Sequence, residues 1–168
     1  MPRRHPPIPR IWMMTDERMG EALWPALGRL PRGSGVVFRH YAAPDRAALL
    51  RRVAVIAARR GLRLVVAGGG GLHVHNARRR IAGGIRTASA HSRREAIAAI
   101  RAGADAVFVS PVFATRSHPG AKALGRSKLG LMIRGLPVPV IALGGMNPQR
   151  ARGLPQSIHG WAGIDVWL

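Results

Sequence analysis

A shortened (β/α)8 barrel is the fold class this sequence predicts, and three observations predict it. Eight short apolar runs of strand length punctuate the chain, and most alternate with helical patterns, the alternation that builds parallel sheets. Eight such units favour closure into a barrel over an open doubly wound sheet. The chain has 168 residues, whereas such barrels start at about 200, so some connecting helices must be short or absent. The expectation is a single domain over residues 1–168, with 1–9 as a flexible basic lead.

The elements follow in order. IWMMT at 11–15 is the first strand. Asp16 can cap a helix over 18–30, which carries Met19, Ala22, Leu23 and Leu27 on one face. The turn cluster PRGSG at 31–35 leads to a second strand at 36–40. Asp45 opens a helix in which Leu50, Val53, Ala54 and Ala57 recur at helical spacing. Arg59 and Arg60 suit the negative end of its dipole, and Gly61 stops it. Strands three, four and five are expected at 62–67, 72–75 and 85–88. Ser92 and Glu95 form a capping box before AIAAIRAG, with Gly103 as the stop. AVFVS at 106–110 is the sixth strand, followed by a helix near 126–134. The seventh strand is expected at 138–143, a short helix at 148–153 and the eighth strand within 158–167.

Composition bounds the function. Apolar residues make up 47% of the chain, too many for a disordered polar segment. There is no cysteine, which excludes disulfides and thiolate metal sites and fits a reducing, cytoplasmic setting. No apolar run reaches the roughly 18–20 residues needed to cross a bilayer, and MPRRHPPIPRIWMM lacks the apolar core of a signal peptide. The net charge is +20, carried almost wholly by arginine, since only Lys122 and Lys128 are lysines. Such a surface attracts phosphates. The arginines are spread along the whole chain, and aromatics for base stacking are scarce, so specific nucleic-acid binding is disfavoured.

Residues 87–125 read TASAHSRREAIAAIRAGADAVFVSPVFATRSHPGAKALG. The order Ser-Ala-His-Ser, helix, Gly-Ala-Asp, apolar strand, Ser-Pro-Val-Phe and Thr-Arg-Ser closely resembles the thiamine phosphate synthase and thiazole tautomerase family. IALGGM at 141–146 resembles that family's phosphate loop, and the opening Met13-Met14-Thr15-Asp16 and Phe38-Arg39 also fit. The resemblance implies a (β/α)8 barrel in thiamine biosynthesis. The activity it implies is a diphosphate-displacing transferase that joins an aminopyrimidine diphosphate to thiazole phosphate, assisted by Mg²⁺. Its small-molecule partners would be those phosphorylated ligands.

The resemblance also assigns residues. Arg39 stands where the family binds diphosphate, and a guanidinium can clamp phosphate oxygens bidentately. Ser89 matches a serine that contacts the diphosphate. Thr115 and Ser117 match hydroxyl residues that hold the thiazole phosphate, and Gly144 and Gly145 can present bare N–H groups to it. His118 takes the place of a lysine that binds diphosphate; a histidine of ordinary pKa, roughly 6.5, is only partly charged at neutral pH. Val37 and Tyr41 replace a flanking Gln and Lys. His91 is expected to hydrogen-bond at the start of the helix near Ser92, and Asp105 to cap a turn at the end of the barrel away from the chemistry.

The metal positions depart furthest. Two family aspartates bind Mg²⁺, and their places are taken here by Gly68 to Gly71 and by Asn76-Ala77-Arg78. No charged hard-oxygen ligand remains there, so no metal-ligating residue is assigned. Arg78 would place a fixed positive charge in its stead. The four glycines do not form a P-loop, because GGGGLHVHN lacks the required Lys and Ser or Thr. His73 and His75 share a strand face but have no carboxylate or cysteine nearby to complete a metal site, and His73 is expected to point into the barrel. A parallel crossover takes a dozen or so residues. Four glycines therefore read as the scar of a deletion that removed the helix between strands three and four, leaving those strands paired differently or the barrel locally open. Dimerisation could cover the exposed flank. The degraded metal site leaves three readings: a synthase-like enzyme with impaired catalysis, a metal-independent thiazole phosphate tautomerase, or a non-catalytic phosphate-ligand-binding protein. In the tautomerase branch a histidine stands where this chain has Pro111, with His91 and His118 as substitutes.

Overall fold

The computed structural model describes residues 7–68, 74–75, 84–116 and 120–168. Readings that fall on Gly69 to Gly71, His73, Asn76 to Arg78, Ser117 and His118 lie outside the described residues. Eight strands form one sheet in the order β3-β2-β1-β8-β7-β6-β5-β4. They are β1 Ile11–Met14, β2 Gly35–Phe38, β3 Arg63–Val66, β4 Val74–His75, β5 Thr87–Ala90, β6 Ala106–Val109, β7 Val140–Ala142 and β8 Gly160–Gly163. This is the strand order of a (β/α)8 barrel with the seam between β3 and β4 left open among the described residues.

Seven strands are parallel, and β4 runs antiparallel to β5. The all-parallel expectation is corrected at this one strand. Residues 67–73 between β3 and β4 are too few for a parallel crossover, and no helix is described between β4 and β5. An antiparallel pair needs only a turn, so the short joins select it.

Among the described residues five α-helices cover the outer face: α1 Leu23–Arg29, α2 Arg46–Arg60, α3 Arg93–Arg101, α4 Gly125–Ile133 and α5 Pro148–Arg152. The helix expected over 18–30 is divided. Asp16 caps a 3₁₀ turn at Glu17–Ala22, Gly20 leaves helical geometry with φ +45°, and α1 starts afterwards. Asp45 makes no side-chain cap to α2, whereas Gly61 ends that helix in the left-handed conformation. The capping box forms as read: Ser92 Oγ accepts from the Glu95 N–H at 3.2 Å, and Glu95 reaches back to the His91 N–H at 2.8 Å. The region 158–167 splits into β8 and a 3₁₀ turn at Asp165–Trp167.

Alternation along the strands divides the core into two faces. Trp12, Met14, Val37, Val65, Phe108, Ile141 and Ala162 fill the concave interior. Met13, Val36 and Phe38 pack outward with α1 and α2, while Ala88, Val107, Val109 and Ala142 join Ala96, Ala99 and Leu129 on the other flank. Burial on both faces explains why the strands read as continuous apolar runs. Trp12 meets Phe108 edge-to-face at 5.2 Å and pairs in register with Gly35, where a Cβ would overlap the indole. This floor closes the barrel interior and leaves the C-terminal strand ends to form a site.

Candidate functional site

The loops after five strands converge on one cavity of about 630 Å³, including its open mouth. Arg39 contributes from just past β2, His91 from after β5, and Ser110, Pro111 and Thr115 from after β6. Leu143 to Met146 follow β7, and Gly163 to Asp165 come from β8 and its end. All lie at the C-terminal end of the sheet, where barrels of this type place their chemistry. Of the residues singled out in the sequence, Arg39, Thr115, Gly144 and Gly145 therefore meet in one place. Ser89 does not line the cavity. It pairs in register with Phe108, one layer below the mouth.

Arg39 is positioned by residues of β1 and its loop. Thr15 is fully buried, and its Oγ1 accepts the Arg39 backbone N–H at 2.9 Å and bonds His40 Nδ1 at 2.9 Å. The Arg39 guanidinium approaches Asp16 at 3.7 Å, and its buried Nε makes no hydrogen bond. Arg18 grips the same carboxylate with two nitrogens, Nε to Oδ1 at 2.7 Å and Nη2 to Oδ2 at 3.1 Å. That bidentate bond holds the Asp16 carboxyl below its ordinary range, against the opposing effect of burial. Burial pushes His40 down from the usual histidine value, so the ring bonded to Thr15 favours its neutral form.

Across the cavity the β7 loop turns on two glycines in positive φ, Gly144 at +95° and Gly145 at +59°. A Cβ on Gly144 would stand 2.8 Å from Pro111 Cα, and one on Gly145 would overlap the Ala114 carbonyl. The two loops thus touch backbone to backbone, locked by Phe113 N–H donating to Gly144 O at 3.1 Å and Val112 N–H to Leu143 O at 2.8 Å. Arg150 binds the Gly145 carbonyl and lies over the Phe113 ring at 4.9 Å. A side chain at either glycine would part the loops, so the bare backbone is a packing requirement as well as a means of close approach to a phosphate.

Three residues of this site carry more than their sequence reading gave them. The His91 backbone does bond at the start of α3, but its ring extends to the cavity, with Nδ1 2.9 Å from the Ser110 carbonyl. Asp16 caps a turn and also faces Arg39. Asp165, read only as part of the last strand, lines the cavity and pairs with Arg116 at 3.4 Å and Arg18 at 3.7 Å. Asp105 behaves as expected, accepting the Arg86 N–H at 2.7 Å just before β6, at the opposite end of the barrel.

Comparison with known proteins bears on this geometry. A family model described as thiamine monophosphate synthase matches residues 52–165. Putative thiamine-phosphate synthase 2 of Aquifex aeolicus is 37% identical over 81 residues, 48% of this chain and 44% of that protein. Thiamine-phosphate synthase of Chloroflexus aurantiacus is 40% identical over 76 residues, 45% of this chain and 35% of that protein. The chain thus spans less than half the length of these curated relatives. Among solved structures, thiamine phosphate pyrophosphorylase from Pyrococcus furiosus superposes with a TM-score of 0.69 at 22% identity, covering 94% of this chain and 90% of that one. A structure described as native KDPGal gives 0.65 at 14% identity, covering 92% and 81%. Both establish the barrel-type fold.

Proposed function

Because the chain belongs to the thiamine monophosphate synthase family, we propose that it acts in thiamine biosynthesis, joining an aminopyrimidine diphosphate to thiazole phosphate with release of pyrophosphate. One observation carries this reading: Arg39, Thr115, Gly144 and Gly145 line a single cavity at the C-terminal strand ends. In this reading Arg39 holds the departing diphosphate and offsets the charge it gains as the bond to the pyrimidine methylene carbon breaks. Thr115 and the Gly144–Gly145 backbone hold the thiazole phosphate. Pro111, Leu143, Met146 and Ile164 supply an apolar wall that keeps water from the carbocation. Ser117 and His118 keep the phosphate and diphosphate roles that the family pattern gives them, whereas Ser89, which does not line the cavity, is given no contact with the diphosphate.

Mg²⁺ is the group the family implies, and the residues present do not fit it. The sequence holds seven acidic residues, Asp16, Glu17, Glu21, Asp45, Glu95, Asp105 and Asp165. Only Asp165 lines the cavity, with Asp16 beside Arg39, and both carboxylates are engaged by guanidinium groups. Glu17 accepts from the Ala42 N–H, and Glu95 and Asp105 serve backbone caps.

The reading is tested by calorimetric titration with thiazole phosphate. Wild type should bind, and Gly144→Ala should abolish binding, since the residue needs φ +95° and has no room for Cβ. Equal affinity in both would refute the phosphate assignment.

A second reading, metal-independent proton transfer on a thiazole phosphate, is favoured by the His91 ring. A carbonyl only accepts, so the 2.9 Å contact with Ser110 O places a hydrogen on Nδ1 and leaves Nε2 as the ring nitrogen available to a ligand in the cavity that His91 lines. His91→Asn should then remove tautomerisation while preserving thiazole phosphate affinity. Unchanged turnover would dismiss this reading.

A further inference from the structure

A chain of alternating charge joins two residues that line the cavity, Arg39 and Asp165: Arg39, Asp16, Arg18, Asp165, Arg116. Successive contacts are 3.7, 2.7, 3.7 and 3.4 Å. We propose that this cavity receives a pyrophosphate group on guanidinium groups alone, with no divalent cation. The inference deepens the synthase reading and rests on it for the identity of the anion.

Three features carry it. First, a divalent cation would have to break the bidentate Arg18–Asp16 pair; otherwise it is offered only Asp165, whose Oδ2 accepts from Arg116 and whose buried Oδ1, without a hydrogen-bond partner, is a single carboxylate oxygen, too few for a hard cation that takes about six oxygens. Second, cations outnumber anions along the chain. Arg39 lines the cavity with a buried Nε that lacks a hydrogen-bond partner, and Arg116, at the other end of the series, is 77% exposed and tethered only to Asp165 among the described residues. Third, a net charge of +20 lowers the local concentration of divalent cations and raises that of phosphate anions. Guanidinium and Mg²⁺ serve the same end at a leaving phosphate, which is permanent positive charge at oxygens that gain negative charge. Arginine needs no acidic ligands to hold it there.

Asp165 sharpens the test, because the two arrangements give it opposite signs. A metal site needs the carboxylate as ligand. A guanidinium site is opposed by it, since its charge repels the anion and occupies Arg116 and Arg18. The experiment is calorimetric titration of the full chain with inorganic pyrophosphate, once with EDTA and once with Mg²⁺. The expected result is affinity equal within about threefold in both buffers, strengthened roughly three- to tenfold by Asp165→Asn. Arg39→Met should weaken it by about tenfold or more. Arg94→Met removes an equal charge from the exposed face of α3 and should leave it unchanged. Binding that requires Mg²⁺, loss of binding in Asp165→Asn, equal loss in Arg94→Met and Arg39→Met, or no binding in either buffer would each overturn the inference. Failure of the synthase reading shows separately, as metal-free pyrophosphate binding without product formation from the two substrates.

Discussion

Thr15→Val tests how the site is anchored to the fold. The side chain is fully buried and valine is nearly its shape, so the change removes little except the hydroxyl. That hydroxyl joins two strand ends, accepting from the Arg39 N–H at 2.9 Å and pairing with His40 Nδ1 at 2.9 Å. Leaving a buried polar group unpaired costs about 1–3 kcal/mol. Two such losses, partly relieved by relaxation of the exposed side of Arg39, come to about 3 kcal/mol. For a domain of this size each kcal/mol lowers Tm by roughly 2–4 °C, so a fall of roughly 6–12 °C is expected. Thr15→Ser is the control: it keeps the hydroxyl and gives up one methyl, worth about 1 kcal/mol. Thermal and urea unfolding followed by circular dichroism would measure both. Pyrophosphate affinity should fall in the valine variant alone, because the Arg39 backbone loses its anchor. Equal destabilisation by valine and serine would refute the reasoning and reduce Thr15 to a packing residue.

Two other outcomes follow from the same contacts. Gly35→Ala should destabilise the fold by about 2 kcal/mol or more, because the new Cβ would overlap the Trp12 indole, itself pinned through Nε1 to the Pro9 carbonyl at 2.7 Å; a Tm within 2 °C of wild type would contradict this packing. Stability should also depend on pH with a defined sign. Burial lowers His40, so the unfolded chain takes up its proton first, and stability should decline as pH falls below about 6.5 and level off once the folded ring is also charged. Asp16, lowered by its bond to Arg18, contributes stability above the ordinary carboxylate range that is lost as pH falls through its depressed value. His40→Asn should flatten the upper limb and leave the lower one; an unchanged profile would dismiss the His40 assignment.

The sequence carried the elements that rest on local rules. AVFV is a fully buried strand because each face meets apolar partners, and its run of four is visible in one dimension. The Ser92–Glu95 capping box is fixed by spacing alone, and the Gly144–Gly145 turn by the absence of Cβ. Register was less visible. The fifth strand reads as 85–88 from its apolar content, yet hydrogen bonding starts at Thr87 and carries Ser89 into line with Phe108. The direction of β4 depends on loop length on both sides, and the sequence offered only a join too short for a parallel crossover between β3 and β4. Asp165 and Thr15 escaped notice as site residues because their partners lie distant in sequence, Arg116 and Arg18 for one and Arg39 for the other. Ion pairs between the ends of different strands leave no periodic trace, although two aspartates, each two residues past the end of β1 or β8, in so basic a chain were a signal.

The most direct test of the central claim is a product assay with both substrates, the aminopyrimidine diphosphate and thiazole phosphate, run in EDTA and in Mg²⁺. Thiamine phosphate and pyrophosphate should form in equal amounts in both conditions, with Arg39→Met inactive. No product in either condition, from a protein whose unfolding transition shows it folded, would contradict the assignment of this cavity as a synthase site.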